Sequence, residues 1–147
     1  MLKGVDPILG PELLAILRAM GHGDELAIVD ANFPATSNAR RLIRADGVSA
    51  TDLVRAVVTL LPLDDFEPVA AFRMAVVGAP SEVPPVIGEF SALLAAQGYD
   101  RPIGAIERFA FYERARGAYA IVATGERRLW GNLIIRKGAL RPGEGAA

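Results

Sequence analysis

MGHGDELAIVDANFPA, Met20 to Ala35, is the stretch whose reading decides the fold. It closes a helix, turns on Gly21 and Gly23, and then runs apolar through Leu26-Ala27-Ile28-Val29 to Asp30. A short apolar run bounded by glycines reads as a buried strand. In open α/β sheets ligands sit at the carboxyl ends of the strands, which is where Asp30 falls. The single histidine of the chain, His22, stands on the turn just before the strand. This imidazole and the Asp30 carboxylate are expected to face one pocket.

Working outward, helical and strand patterns alternate. Pro11 to Met20 has proline at the first helical position and Gly21 after the last, the usual punctuation of a short helix. Ser49-Ala50-Thr51-Asp52 resembles a capping box ahead of the helical spacing Leu53 to Leu61, which stops at Pro62. Val69 to Val77 reads as a buried strand broken by one charge, Arg73, and Val86 to Gln97 as a helix closed by Gly98. Ile106 to Phe109 is expected as a strand and Phe111 to Arg116 as a short helix. Tyr119 to Thr124 and Leu133 to Arg136 read as two further strands, joined through the loop GERRLWGN as a hairpin. The alternation predicts a single-domain layered α/β fold with a central mixed sheet, spanning residues 1–140. The tail, 141–147, lacks apolar anchors and is expected to be disordered.

Composition narrows the function. At 147 residues the chain is one domain with room for a real core. Sixteen basic against 17 acidic residues leave a net charge of -1, so no electrostatic footprint for nucleic acid exists. No apolar run approaches the roughly 20 residues of a membrane span. The N-terminus lacks a signal-peptide pattern, which points to a cytoplasmic protein. With no cysteine and one histidine, a metal site would need mostly carboxylates, and no metal or other cofactor is expected. The hydrophobic fraction of 52% is high enough to suggest surface buried between subunits.

Chemistry could reside at several places. His22 is either a surface histidine or an acid–base group; Asp24 and Glu25 would favour the imidazolium if they lie nearby. Asp30 is either a turn aspartate or a site carboxylate. Asp64 and Asp65 follow Pro62 in a loop, where paired acids are usually solvated. Arg73 must be paired with a carboxylate or reach a ligand, because a buried unpaired charge is costly. Glu107 to Arg114 mixes rings and charges as sugar sites do, and equally as an amphipathic helix does. Trp130-Gly131-Asn132 combines the only tryptophan with an amide in a loop. Walker, G-x-G-x-x-G and G-x-S-x-G patterns are absent from the sequence.

The stretches MLKGVDPILGPELL, MGHGDELAIVDANFPA, IRADG, LLPLD, IERFAFYERA, VATGERRLWGN and LIIRKG together resemble the L-fucose mutarotase and D-ribose pyranase family, closer to the fucose branch. They span most of residues 1–140 in order; only about 78–104 and the last few residues are unspecific. The resemblance implies a ring-forming oligomer, a decamer of two stacked pentamers, with sites between neighbouring protomers and no cofactor. It implies a general acid at His22 and a catalytic aspartate at Asp64. Ligand-binding positions fall on Asp30, Met74, Arg108, Tyr112, Trp130 and Asn132. The implied activity is anomer exchange of L-fucose or a similar free monosaccharide, with ribose pyranase activity or non-catalytic sugar binding as the alternatives. The family usually has tyrosine where this chain has Trp130. Indole keeps a stacking face but exchanges a phenol, both donor and acceptor, for a single donor.

Overall fold

The computed structural model describes residues 1–145. Its first helix, α1 (Pro11–Ala19), leads into β1 (Glu25–Val29), a one-turn helix α2 (Ala35–Asn38) and β2 (Leu42–Ala45). Next come α3 (Ala50–Val58), β3 (Ala71–Met74), α4 (Pro85–Ala96), β4 (Gly104–Ile106), α5 (Arg108–Gly117), β5 (Ala120–Thr124) and β6 (Leu133–Arg136). The six strands form one sheet in the order β2-β5-β1-β6-β3-β4. β1 lies parallel to β5 and antiparallel to β6, while β3 is parallel to β4 and antiparallel to β6. With β2 parallel to β5, five strands share one direction and only β6 opposes them. The sheet is therefore mixed, and the carboxyl ends of five strands open on one edge.

β1 explains why that first stretch governs the fold. Leu26 to Val29 are fully buried, because helices cover both faces of the sheet. The period-2 alternation sends Leu26 and Ile28 into the larger core with α1, α3 and α4. Ala27 and Val29 enter a second core with Phe33, Phe111 and Ala115 under α2 and α5. Local signals agree with this packing. Ser49 accepts a hydrogen bond from the Asp52 amide and caps α3.

Three segments differ from the sequence reading. β5 and β6 are not a hairpin: β1 lies between them, so Gly125–Asn132 crosses the end of β1. Eight residues can make that crossing, whereas a direct hairpin favours two. The strand expected to reach Phe109 ends at Ile106, because the Glu107 carboxylate accepts from the Phe109 and Ala110 amides and starts α5 at Arg108. The strand expected over 69–77 shortens to Ala71–Met74, ending before a turn at Gly78 with φ 80°. β2 has little signature, since it is a short edge strand and only partly buried. Arg141 pairs with Asp65 at 2.9 Å, and the last two residues of the expected tail lie outside the described residues. Among the described residues no helix is long and apolar enough to cross a membrane.

Candidate active site

At the carboxyl edge the chain forms an open cavity of about 160 Å³. β1 delivers Asp30 to it, β3 delivers Met74, and the first turns of α5 deliver Arg108 and Tyr112. The crossing loop brings Trp130 and Asn132. These are the six ligand-binding positions implied by resemblance, drawn from four separate parts of the chain. Asn32, Phe33 and Leu129 complete the wall; none of them carries a signal beyond proximity to Asp30 or Trp130.

Asp30 and Asn132 form the polar floor. The Asp30 amide donates to Asn132 Oδ1 at 2.8 Å, and Asn132 Nδ2 donates to Asp30 Oδ2 at 3.1 Å. The other Asp30 oxygen accepts from the Asn32 amide at 3.0 Å. Burial pushes the Asp30 carboxyl above its ordinary value, against the lowering effect of these hydrogen bonds. Arg108 faces the cavity with a buried Nε that has no partner among the described residues, and its guanidinium lies over the Phe109 ring. Tyr112 is wedged edge-on between Phe33 and Phe109, at centroid distances of 5.3 and 6.1 Å.

Trp130 is the only non-glycine residue at positive φ among the described residues, at 67°. A bulky side chain in that region costs on the order of 1–3 kcal/mol and persists only where its surroundings impose it. Nothing in the sequence announces this conformation. Next to it, a Cβ on Gly131 would meet Glu126 Cγ at 2.8 Å, so the turn has no room for a larger residue.

His22 and Asp64 lie at the opposite end of the sheet. His22 Nε2 bonds Asp64 Oδ1 at 3.0 Å, and the imidazole packs at 4.9 Å on the Phe66 ring. Asp64 is 2% exposed, accepts also from the Phe66 amide, and has Arg136 at 4.0 Å from its second oxygen. Burial raises the Asp64 carboxyl, yet the bonds from His22 and Phe66 and the positive charges nearby outweigh it, and its pKa ends below the ordinary value. The solvated loop acid of the sequence reading is thus a buried carboxylate, hydrogen-bonded through Oδ1. Phe66 and Arg136 escaped that reading; a charge closing the apolar run of β6 is the one hint of Arg136.

The acidic neighbours of His22 serve other groups. Asp24 accepts from the Gly21 amide at 2.7 Å, and Glu25 is held by Arg114 and Arg136. Asp64, 42 positions away, is the carboxylate on the imidazole. Nor do His22 and Asp30 share a pocket within one protomer. The five residues of β1 between them span roughly 17 Å at about 3.3 Å each. Arg73 has no carboxylate partner among the described residues and keeps a buried, unpaired Nη1. Its neighbour Met74 is the residue that lines the cavity.

Together these parts can do proton chemistry on a small polyhydroxylated ligand. The cavity supplies planar rings, an unpaired guanidinium nitrogen and a carboxylate of raised pKa, and the far edge presents an oriented imidazole. Comparison with known proteins agrees in kind. A fucose mutarotase of Danio rerio is 47% identical over 98% of this chain and 97% of its own length. One of Homo sapiens is 48% identical, covering 95% of this chain and 94% of its own. The crystal structure of the fucose mutarotase from Streptococcus pneumoniae in complex with L-fucose superposes with a TM-score of 0.91 at 40% identity, over 95% of this chain and all of that one. The model of the RbsD / FucU transport protein family matches residues 3–140. This chain, by full-length similarity of sequence and fold, is a member of the RbsD / FucU family.

Proposed function

We infer that this protein is a fucose mutarotase, an isomerase that interconverts the α and β anomers of L-fucose by opening and reclosing the sugar ring. The observation that carries the reading is the convergence of Asp30, Arg108, Asn132, Tyr112 and Trp130 on one small cavity, in a chain close to fucose mutarotases along its whole length. A cavity of about 160 Å³ suits a monosaccharide. Rings stack on the apolar faces of the sugar, and Arg108 and Asn132 bond its hydroxyls.

The site is proposed to be composite, with His22 of one protomer completing the cavity of the next in a decamer of two pentameric rings. Support comes from the distance between the two halves and from exposure: the His22 side chain is 43% exposed and Phe66 66% exposed beside it. We place the assembly in the cytoplasm.

In this mechanism the imidazolium of His22 protonates the ring oxygen through Nδ1, because Nε2 is occupied by Asp64. Asp64 acts as the group that orients and stabilises the imidazolium; its burial behind the ring and its hydrogen bonds from His22 and the Phe66 amide support that role over direct contact with sugar. Asp30 takes the proton from the anomeric hydroxyl. The bond between C1 and the ring oxygen breaks, and C1 becomes an aldehyde carbon. Rotation about the C1–C2 bond presents the other carbonyl face. On reclosure the sugar hydroxyl adds to C1 and returns its proton to Nδ1, while Asp30 returns its own to O1.

NMR magnetisation transfer on L-fucose and D-ribose tests the reading. Faster α/β exchange of fucose in the presence of protein is expected. Faster pyranose–furanose exchange of ribose alone would favour the pyranase. Quenching of Trp130 fluorescence by fucose without faster exchange would mark a non-catalytic sugar binder.

A further inference from the structure

The segment that carries Trp130 and Asn132 is held by two residues that touch no sugar position. Glu126 is 4% exposed although it is an acid on a loop. Its Oε1 accepts from the Arg128 amide at 3.0 Å and from Arg128 Nε at 2.9 Å. Oε2 accepts from Arg128 Nη2 at 3.0 Å. The Glu126 carbonyl accepts from the Ala31 amide, next to Asp30. Its stem lies against Gly131, the residue between Trp130 and Asn132. Arg128 then reaches outward: Nη1 pairs with Glu89 of α4 at 2.6 Å and Nη2 bonds Thr51 of α3 at 3.1 Å. Glu89 and Thr51 bond each other at 3.0 Å, which closes the network.

The crossing loop is thus fastened to two helices on the far side of the sheet from α5. A bidentate arginine–carboxylate pair fixes orientation as well as distance. Without such a fastening, nothing obliges Trp130 to keep φ at 67°, a conformation that a tryptophan abandons when it can. The Asn132 amide donates to the Trp130 carbonyl at 2.8 Å, so a change at Trp130 passes directly to the partner of Asp30.

We propose that Glu126 and Arg128 are positioning residues: a buried carboxylate and its forked cation that hold Trp130, Asn132 and through them Asp30 in the geometry that binds the sugar. The sugar in this statement rests on the fucose reading; the positioning of Trp130 does not. The Arg44–Asp46 pair, by contrast, joins two exposed residues only two positions apart.

The test uses three full-length variants, Arg128→Ala, Arg128→Lys and Glu126→Gln, with Arg55→Ala as a control that removes only the exposed Arg55–Asp52 pair. Trp130 is the sole tryptophan, so emission wavelength and near-ultraviolet circular dichroism report on the loop without any ligand. Anomer exchange at graded fucose concentration separates KM from kcat. Arg128→Ala is expected to shift Trp130 emission and raise KM by about 10- to 100-fold, with a smaller fall in kcat, because Asp30 is displaced while the His22 end is untouched. Arg128→Lys keeps the charge but loses the fork and falls between. A purely structural role would lower the melting temperature and leave KM of the folded protein unchanged. Wild-type emission and KM in both Arg128→Ala and Glu126→Gln would overturn the proposal. Should Glu126→Gln fail to fold, Arg128→Ala decides, since Arg128 is about half exposed. If the wild type does not accelerate fucose exchange, the substrate reading fails and the emission shift alone decides the positioning claim.

Discussion

Asp30 and Asn132, 102 positions apart in the chain, hold each other by two hydrogen bonds that run in opposite directions. The backbone of Asp30 gives to the Asn132 side chain, and that side chain gives back to the carboxylate. One residue therefore serves both as a sheet-edge connection and as the tuner of a buried acid. Asn132→Ala removes both bonds and strands a buried amide N–H and a carboxylate oxygen. The expected loss is about 3 kcal/mol of unfolding free energy, read by chemical denaturation, together with loss of fucose-dependent quenching of Trp130. Unchanged stability would show that water replaces the amide at no cost.

His22, with a side chain 43% exposed, is expected to contribute most of the chemistry. His22→Ala should abolish the protein-dependent part of anomer exchange and lower the thermal midpoint modestly, because buried Asp64 loses one of its two hydrogen bonds while the Phe66 amide and Arg136 remain. Asp64→Asn keeps an acceptor for the Phe66 amide but removes the charge behind the imidazole. Exchange should fall by about 10²- to 10³-fold, with quenching of Trp130 by fucose preserved. Full exchange in either variant sinks the assigned roles.

The two aspartates predict opposite effects of pH on stability. Asp64 has a folded pKa below its ordinary value, so it stabilises the fold above that value and the contribution disappears as pH falls through the lowered pKa. Asp30 is raised above 3.8, so its ionisation favours the unfolded chain and its cost grows as pH rises through the raised pKa. Denaturation of the wild type and Asp64→Asn between pH 3 and 7 should show their difference shrinking below about pH 4. A difference that stays constant over that range would contradict the placement of Asp64.

Composite sites predict complementation between inactive chains. His22→Ala and Asn132→Ala each spoil a different half. Equimolar unfolding and joint refolding of the two should restore about a quarter of wild-type activity, the share of interfaces that receive two intact halves. No recovery in a mixed oligomer, verified by native mass spectrometry, would place both halves in one protomer.

Much of the fold could be read from local chemistry. Pro11 and Gly21 bracket α1, Ser49 caps α3, and the apolar run of β1 is buried on both faces. The same logic failed where a distant contact decides. Glu107 starts α5 earlier than hydrophobic pattern suggests, and the pair of strands after it is separated by β1 because Ile134 pairs with Ala27 as well as with Phe72. Among the candidate residues, Asp64 illustrates the limit: its sequence neighbours are loop acids and prolines, yet three-dimensional packing buries it under His22.

From residues alone came a single α/β layer protein, a lone imidazole worth testing, and a resemblance naming eight positions. That much is available because turn chemistry, strand burial and motif spacing are properties of short segments. The fold alone decided that six of the positions share one cavity, that the other two stand roughly 17 Å away across β1, and that Trp130 is held at φ 67°. Those outcomes depend on which strands neighbour one another in the sheet, a long-range choice settled by packing of the whole core.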